Sequence, residues 1–71
     1  MPGDPKDQAR IGQDILIEFV VHGNTVKVTA VDASSGIEAC IVAPASAPRA
    51  VLEASAVRKL AYVMKKQRGA G

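Results

Sequence analysis

Residues 14–43, DILIEFVVHGNTVKVTAVDASSGIEACIVA, decide the fold. From Ile15 onward apolar and polar positions alternate with period two. Ile15, Ile17, Phe19 and Val21 fall on one face and Leu16, Glu18 and Val20 on the other, and the β-branched and aromatic content suits a strand. His22-Gly23-Asn24-Thr25 then supplies a two-residue hairpin loop, of type II′ with Gly23 at positive φ or of type I′. Either turn sets one register: His22 opposite Thr25, Val21 opposite Val26, Phe19 opposite Val28 and Ile17 opposite Ala30. The partners of Val21, Phe19 and Ile17 on the apolar face are then themselves apolar.

The second turn, Asp32-Ala33-Ser34-Ser35-Gly36-Ile37, reads as a longer loop. Asp32 bonds forward to backbone amides, and Gly36 takes the left-handed position before the chain re-enters the sheet. With Ala33 to Gly36 as the loop, Asp32 pairs with Ile37, Ala30 with Ala39 and Val28 with Ile41. The two turns together place Ile15, Ile17, Phe19, Val21, Val26, Val28, Ala30, Ile37, Ala39 and Ile41 on one face, the expected sheet core. A slip of one residue in either turn would turn that set to solvent.

Toward the carboxyl end, Pro44 cannot donate to a ladder and ends the third strand. Ser46 is the expected N-cap of a helix over residues 47–67, with Gly69 as its stop signal. At 100° per residue Leu52, Ala56, Val57, Leu60, Ala61, Val63 and Met64 form a broad apolar arc, against Arg58, Lys59, Tyr62, Lys65 and Lys66 on the other side. Two residues break this pattern: Glu53 lies inside the apolar arc and Val51 in the polar one. A later helix start, a bend near Ser55 or a partner chain against Val51 would each account for the break.

Toward the amino end, residues 1–12 carry Pro2, Gly3, Pro5 and Gly12 among charges and show no period, so they read as a flexible tail. The expected class is α+β. It comprises a single small domain over 13–68, with a three-stranded antiparallel meander at about 14–21, 25–32 and 37–43 and one helix across the face that bears Phe19 and Val28.

With 71 residues there is room for one domain and a thin core, which buries roughly 60% of the unfolded surface. Cys40 and His22 are the only residues of their kinds, so neither a disulfide nor a Cys/His zinc site can reinforce it. Oligomerisation is the stabiliser that remains. The first ten residues do not resemble a secretory signal, and no apolar run approaches the ~18 residues of a membrane span. A lone thiol then fits a cytoplasmic protein. The net charge of +2 is unevenly spread. Residues 1–44 carry three cations and six carboxylates, net −3, and residues 45–71 carry six cations and Glu53, net +5.

No constellation of catalytic type is present. Cys40 and His22 are the available nucleophile and base, but the register separates their rows by four strand positions, about 13 Å at ~3.3 Å per residue. Glu18 and Glu38 lie on the outer sheet face, which lacks the cleft that paired-carboxylate chemistry needs. Gly23 and Gly36 are turn glycines outside any phosphate-binding motif. No enzyme activity, metal or cofactor is expected.

Surfaces are more informative than motifs. One helix covers one side of the sheet and leaves Leu16, Val20, Val31, Cys40 and Val42 on the other, beside Glu18, Lys27, Thr29 and Glu38. An apolar patch of that kind marks an interface. The first strand of the meander would also be an edge without an internal Pro or Lys to discourage pairing. Both features point to a protein-interaction module forming a homodimer, through the outer face or the first strand. The alternative is nucleic-acid binding through the basic helix face of Arg58, Lys59, Tyr62, Lys65, Lys66 and Arg68, although Tyr62 alone makes no stacking platform. An acidic protein would suit the same cations.

The run GNTVKVTAVDASSGIEACIVAPASAPRAVLEASAVRKLAYVMKK resembles a family of short, uncharacterised alphaproteobacterial proteins, a domain of unknown function. That family carries a GN-x-VKVTA-[IV]-D core, a TG-x-E-like turn, a GPAS-like segment and a VLE…A-x-RKL-x-YV helix. The resemblance spans Ile15 to Lys66 and is most specific over Gly23 to Asp32 and Arg58 to Val63. This chain departs at Ser35-Gly36, where the family has Thr-Gly, and at Ala43-Pro44, where it has Gly-Pro. The resemblance implies no activity. It does imply that Arg58, Lys59, Leu60 and Tyr62 belong to a recurring segment.

Overall fold

A computed structural model describes the backbone of residues 6–11 and 14–70 and the side chains of residues 14–67. The elements in order are β1 (Lys6–Ile11), β2 (Ile15–His22), β3 (Thr25–Asp32), β4 (Glu38–Pro44) and α1 (Arg49–Ala70). The strands form one antiparallel sheet in the order β1-β2-β3-β4. The expected meander and carboxyl-terminal helix are therefore present, with a further strand ahead of them. Residues 6–11, expected as tail, pair with β2 from Lys6 opposite Val20 to Ile11 opposite Ile15. The rest of the expected tail lies outside the described residues. KDQARI has little strand propensity of its own. The otherwise unpaired backbone edge of β2 recruits it.

Both turns work as their residues dictate. Gly23 has φ +64° and among the described residues no non-glycine has positive φ, so Asn24 does not, and the turn is type II′ rather than I′. The β2–β3 register runs from Ile15 opposite Asp32 to His22 opposite Thr25. At the second turn Gly36 takes φ +78° and its N–H donates to the Asp32 carbonyl at 2.8 Å, while Asp32 N–H donates to the Ile37 carbonyl at 2.9 Å. Val28 faces Ile41 and Ala30 faces Ala39, as the turn requires.

The Asp32 carboxylate holds this loop. It accepts from the Ser35 N–H at 3.1 Å and from the Ser34 hydroxyl at 3.1 Å. Hydrogen bonding from Ser35, opposed by burial and joined by that from Ser34, keeps the carboxyl below the ordinary carboxylate value. Because the folded-state pKa lies below the unfolded one, the stabilisation is complete above about 3.9, the unfolded-chain value, and is lost as pH falls through the folded value. Urea midpoints at about pH 6 and about pH 3 should therefore fall less in Asp32→Asn than in the parent chain. Equal falls would show that this carboxylate does not govern acid stability.

The connection to α1 differs from expectation. Ala45 N–H donates to the Asn24 carbonyl at 2.8 Å and Ala47 N–H to the Pro44 carbonyl at 3.0 Å, forming a turn. The helix begins at Arg49, and the Pro48 carbonyl accepts from Val51 and Leu52, both at 3.1 Å. Ser46 lies in the turn and is not the cap. Pro48 is the cause, since the residue before a proline is pushed out of the α region and the helix cannot start at Ala47. At the far end the helix continues through Gly69 to Ala70. Glycine permits a left-handed stop without imposing one.

The core contains Ile17, Phe19, Val26, Val28, Ala30 and Ala39 from the sheet and Leu52, Ala56 and Leu60 from α1. Ile15, Ile37 and Ile41 pack against it partly buried. Val21 does not belong to it: it is 58% exposed, because α1 crosses over β3 and β4 and leaves the hairpin end of β2 uncovered. Ala61, expected in the buried arc, is exposed as well. Glu53 is accommodated by an ion pair with Arg49 at 3.5 Å, an i,i+4 spacing. Val51 stays exposed, so the later helix start does not remove that irregularity.

Candidate functional site

The register arranges the outer sheet face in rows. Val20, Lys27 and Val42 stand side by side, then Glu18, Thr29 and Cys40, then Leu16, Val31 and Glu38. The helix lies on the opposite face, so no described element crosses these rows. Leu16, Val20 and Val31 are half-buried by their neighbours, Thr29 at the centre is buried, and Cys40 and Val42 are exposed. Val42, at 69%, is the most exposed of the four large exposed apolar side chains among the described residues. The candidate residues Leu16, Val20, Val31, Cys40 and Val42 therefore share one surface, with Lys27 and two carboxylates set among them.

The strand edges differ from the sequence expectation. The first strand of the meander is β2, which is paired on both sides, so it offers no edge for association. The open edge beyond β3 belongs to β4. Because Asp32 and Ile37 bond across the turn, alternation leaves Glu38, Cys40 and Val42 with their N–H and C=O groups pointing outward. This edge is blunted: Lys59 Nζ donates to the Cys40 carbonyl at 2.9 Å, and the Pro44 carbonyl is taken by Ala47. A helix lysine capping a strand carbonyl nineteen residues away was not legible in the sequence.

The basic helix residues are placed as expected where they are described. Arg58, Lys59, Tyr62, Lys65 and Lys66 are exposed, and the Arg68 side chain lies outside the described residues. Lys66 Nζ stands 5.9 Å from the Tyr62 ring centroid. Arg49, not singled out from the sequence, has its guanidinium 4.4 Å above the Phe19 ring. This contact contributes about 0.5–1 kcal/mol at an exposed site.

Two hollows flank α1. One of ≈ 200 Å³ is bounded by Phe19, Val21, Val26, Ala45, Ala47, Arg49 and Leu52, and one of ≈ 440 Å³ by Ala50, Glu53, Ala54, Val57 and Arg58. The first is smaller than the ~300 Å³ at which small-molecule pockets begin. The second is wider, but the one acid on its wall, Glu53, is already engaged by Arg49. Cys40 shares a row with Glu18 while His22 lies opposite Thr25, so thiol and imidazole remain four positions apart. Among the described residues no group of three or more His, Cys, Asp or Glu could hold a metal ion. No helix among them is long and apolar enough to cross a membrane.

No curated protein and no solved structure matches the chain. A family model does match residues 12–67, which include β2, β3, β4 and most of α1. The chain therefore belongs to the family described as Domain of unknown function (DUF6898).

Proposed function

We propose that this domain is a small non-enzymatic interaction module that forms a homodimer through the outer face of its sheet. The observation that carries the reading is the sidedness of the sheet: α1 covers one face, and the other presents Leu16, Val20, Val31 and Val42 with no described element across it. Two copies can also meet face to face. A two-fold axis along the Glu18–Thr29–Cys40 row lays the Val20–Lys27–Val42 row of one copy over the Leu16–Val31–Glu38 row of the other. Val20 then meets Leu16 of the second copy, and each Lys27 lies across from the second copy's β3, one strand over from its Glu38. Sheets stacked in this way align their strands about 10 Å apart.

Area sets the strength. Four strands of about seven residues offer roughly 440 Å² per copy, or roughly 900 Å² for the pair, at the usual strand spacing and rise. Stable interfaces bury about 1,200 Å² or more, so the dimer is weak and concentration-dependent. Light scattering during size exclusion should show a mass rising from 7.4 kDa toward twice that value between low-micromolar and near-millimolar protein. Val42→Glu places a carboxylate on an exposed position and should weaken association by about tenfold or more without unfolding the chain. A mass of 7.4 kDa at every concentration would reject the proposal.

A further inference from the structure

The side of α1 turned away from the sheet is a second open surface. At 100° per residue Val51, Ala54, Arg58, Ala61, Tyr62 and Lys65 follow one line along the helix, and all six are exposed. Lys59 and Lys66 flank it, also exposed. No carboxylate lies on this side, because the single acid of α1, Glu53, is half-buried against Arg49. Arg58 and Lys65 meet no carboxylate among the described residues. Lys59 is held by the Cys40 carbonyl, which positions the ammonium and leaves its charge uncompensated.

The helix macrodipole accounts for some of this charge. Cations are favoured in the last turn, which suits residues near Lys65 and Lys66, but the effect fades before Arg58 in the middle of α1. Arg58 therefore needs another explanation. The order of residues supplies one: Val51, Arg58 and Lys65 recur every seven positions, as do Lys59 and Lys66. A seven-residue period keeps one line of side chains turned toward a neighbouring helix. Ala54 and Ala61 fall between these cations and leave room for a helix axis to approach to about 8 Å.

Other partners fit less well. A nucleic-acid strand would meet cations interrupted by the bare side chains of Val51, Ala54 and Ala61, and its one stacking ring, Tyr62, has Lys66 over it. A membrane surface would find two bulky apolar residues, Val51 and Tyr62, too few to bury an apolar face. We infer that the outward face of α1 docks an acidic amphipathic helix of another protein. That helix lies along α1 for about two heptads, roughly 21 Å, with its carboxylates against Arg58 and Lys65 and its small apolar side chains against Ala54 and Ala61. This surface is on the opposite side of the sheet from the dimer face, so both can be occupied at once.

Fluorescence anisotropy tests the inference with the full chain and three labelled probes. They are a synthetic helical peptide with Glu in heptad phase, a peptide of the same composition with Glu out of phase, and a DNA duplex of similar length. The phased peptide should bind about tenfold or more tighter than the other two and lose affinity as salt is added. Arg58→Glu and Lys65→Glu should each weaken the phased peptide by about tenfold. Both positions are exposed, and helicity by circular dichroism confirms folding of each variant. If the two peptides bind equally, the face attracts polyanions by net charge alone and the inference falls. Tighter binding of the duplex makes it a nucleic-acid surface, and no binding at low salt makes it a solvated face. Each of those results overturns the inference.

Discussion

Leu60→Ala is expected to lower the unfolding free energy by about 2–5 kcal/mol. Leu60 is 1% exposed and is one of the three largest fully buried side chains, reaching from α1 into the sheet core. Truncation removes its burial and leaves a hole that Ile17 and Val28, themselves fully buried, cannot fill without moving the strands. The whole domain has about 4–10 kcal/mol to lose at ~0.05–0.15 kcal/mol per residue. A single truncation therefore consumes a large share of the stability and leaves a substantial unfolded population near body temperature. Urea titration should show a lower midpoint with an unchanged slope. Tyr62→Ala, two residues away on the exposed side, should change stability by less than about 0.5 kcal/mol. Similar losses for both variants would mean that α1 does not rest on the sheet through Leu60.

Ala56→Leu acts in the opposite sense and is expected to cost about 1–3 kcal/mol. Ala56 is 0% exposed and belongs to the same cluster as Ala30 and Ala39, two further small residues at the junction of helix and sheet. Small side chains there set how closely α1 approaches. Three added carbons find no free volume at interior density, so either the side chain is forced off its rotamer or the helix lifts. If the helix lifts, Lys59 is drawn away from the Cys40 carbonyl, a hydrogen bond of 2.9 Å. Thermal unfolding should report the lower midpoint, and amide hydrogen exchange should report reduced protection at Ala39 and Ile41, whose N–H groups face β3. Ala54→Leu, on the exposed face, serves as the control and should leave the midpoint nearly unchanged. A rise in the midpoint for Ala56→Leu would reveal an unfilled space beneath the helix.

The candidate surfaces were legible to different depths. The outer-face residues could be assigned because strand alternation and turn length are local rules, and the register that follows from Gly23 and Gly36 is the one observed. The basic face of α1 was readable from the 3.6-residue period for the same reason. Exposure was harder. Val21 and Ala61 carry the correct periodicity for burial and are nevertheless solvent-exposed, because burial depends on where α1 lies across the strands and not on its own sequence pattern. Lys59 looked like one surface lysine among several. Its role appears only when α1 and β4 are set side by side.

Taken alone, the sequence determined the β2–β3–β4 meander, its register, its inward set of apolar residues and the existence of a helix after Pro44. These follow from interactions among residues close along the chain: a type II′ turn that requires positive φ at Gly23, an Asp32 loop closed by Ser34 and Ser35, and periods of two and 3.6. The tertiary structure alone decided that Lys6–Ile11 becomes a strand, that β2 is an interior strand and that β4 bears the guarded edge. The physical reason is the same in each case. A polar segment with weak propensity takes its conformation from the backbone groups it pairs with, and an edge exists only where no such partner has arrived.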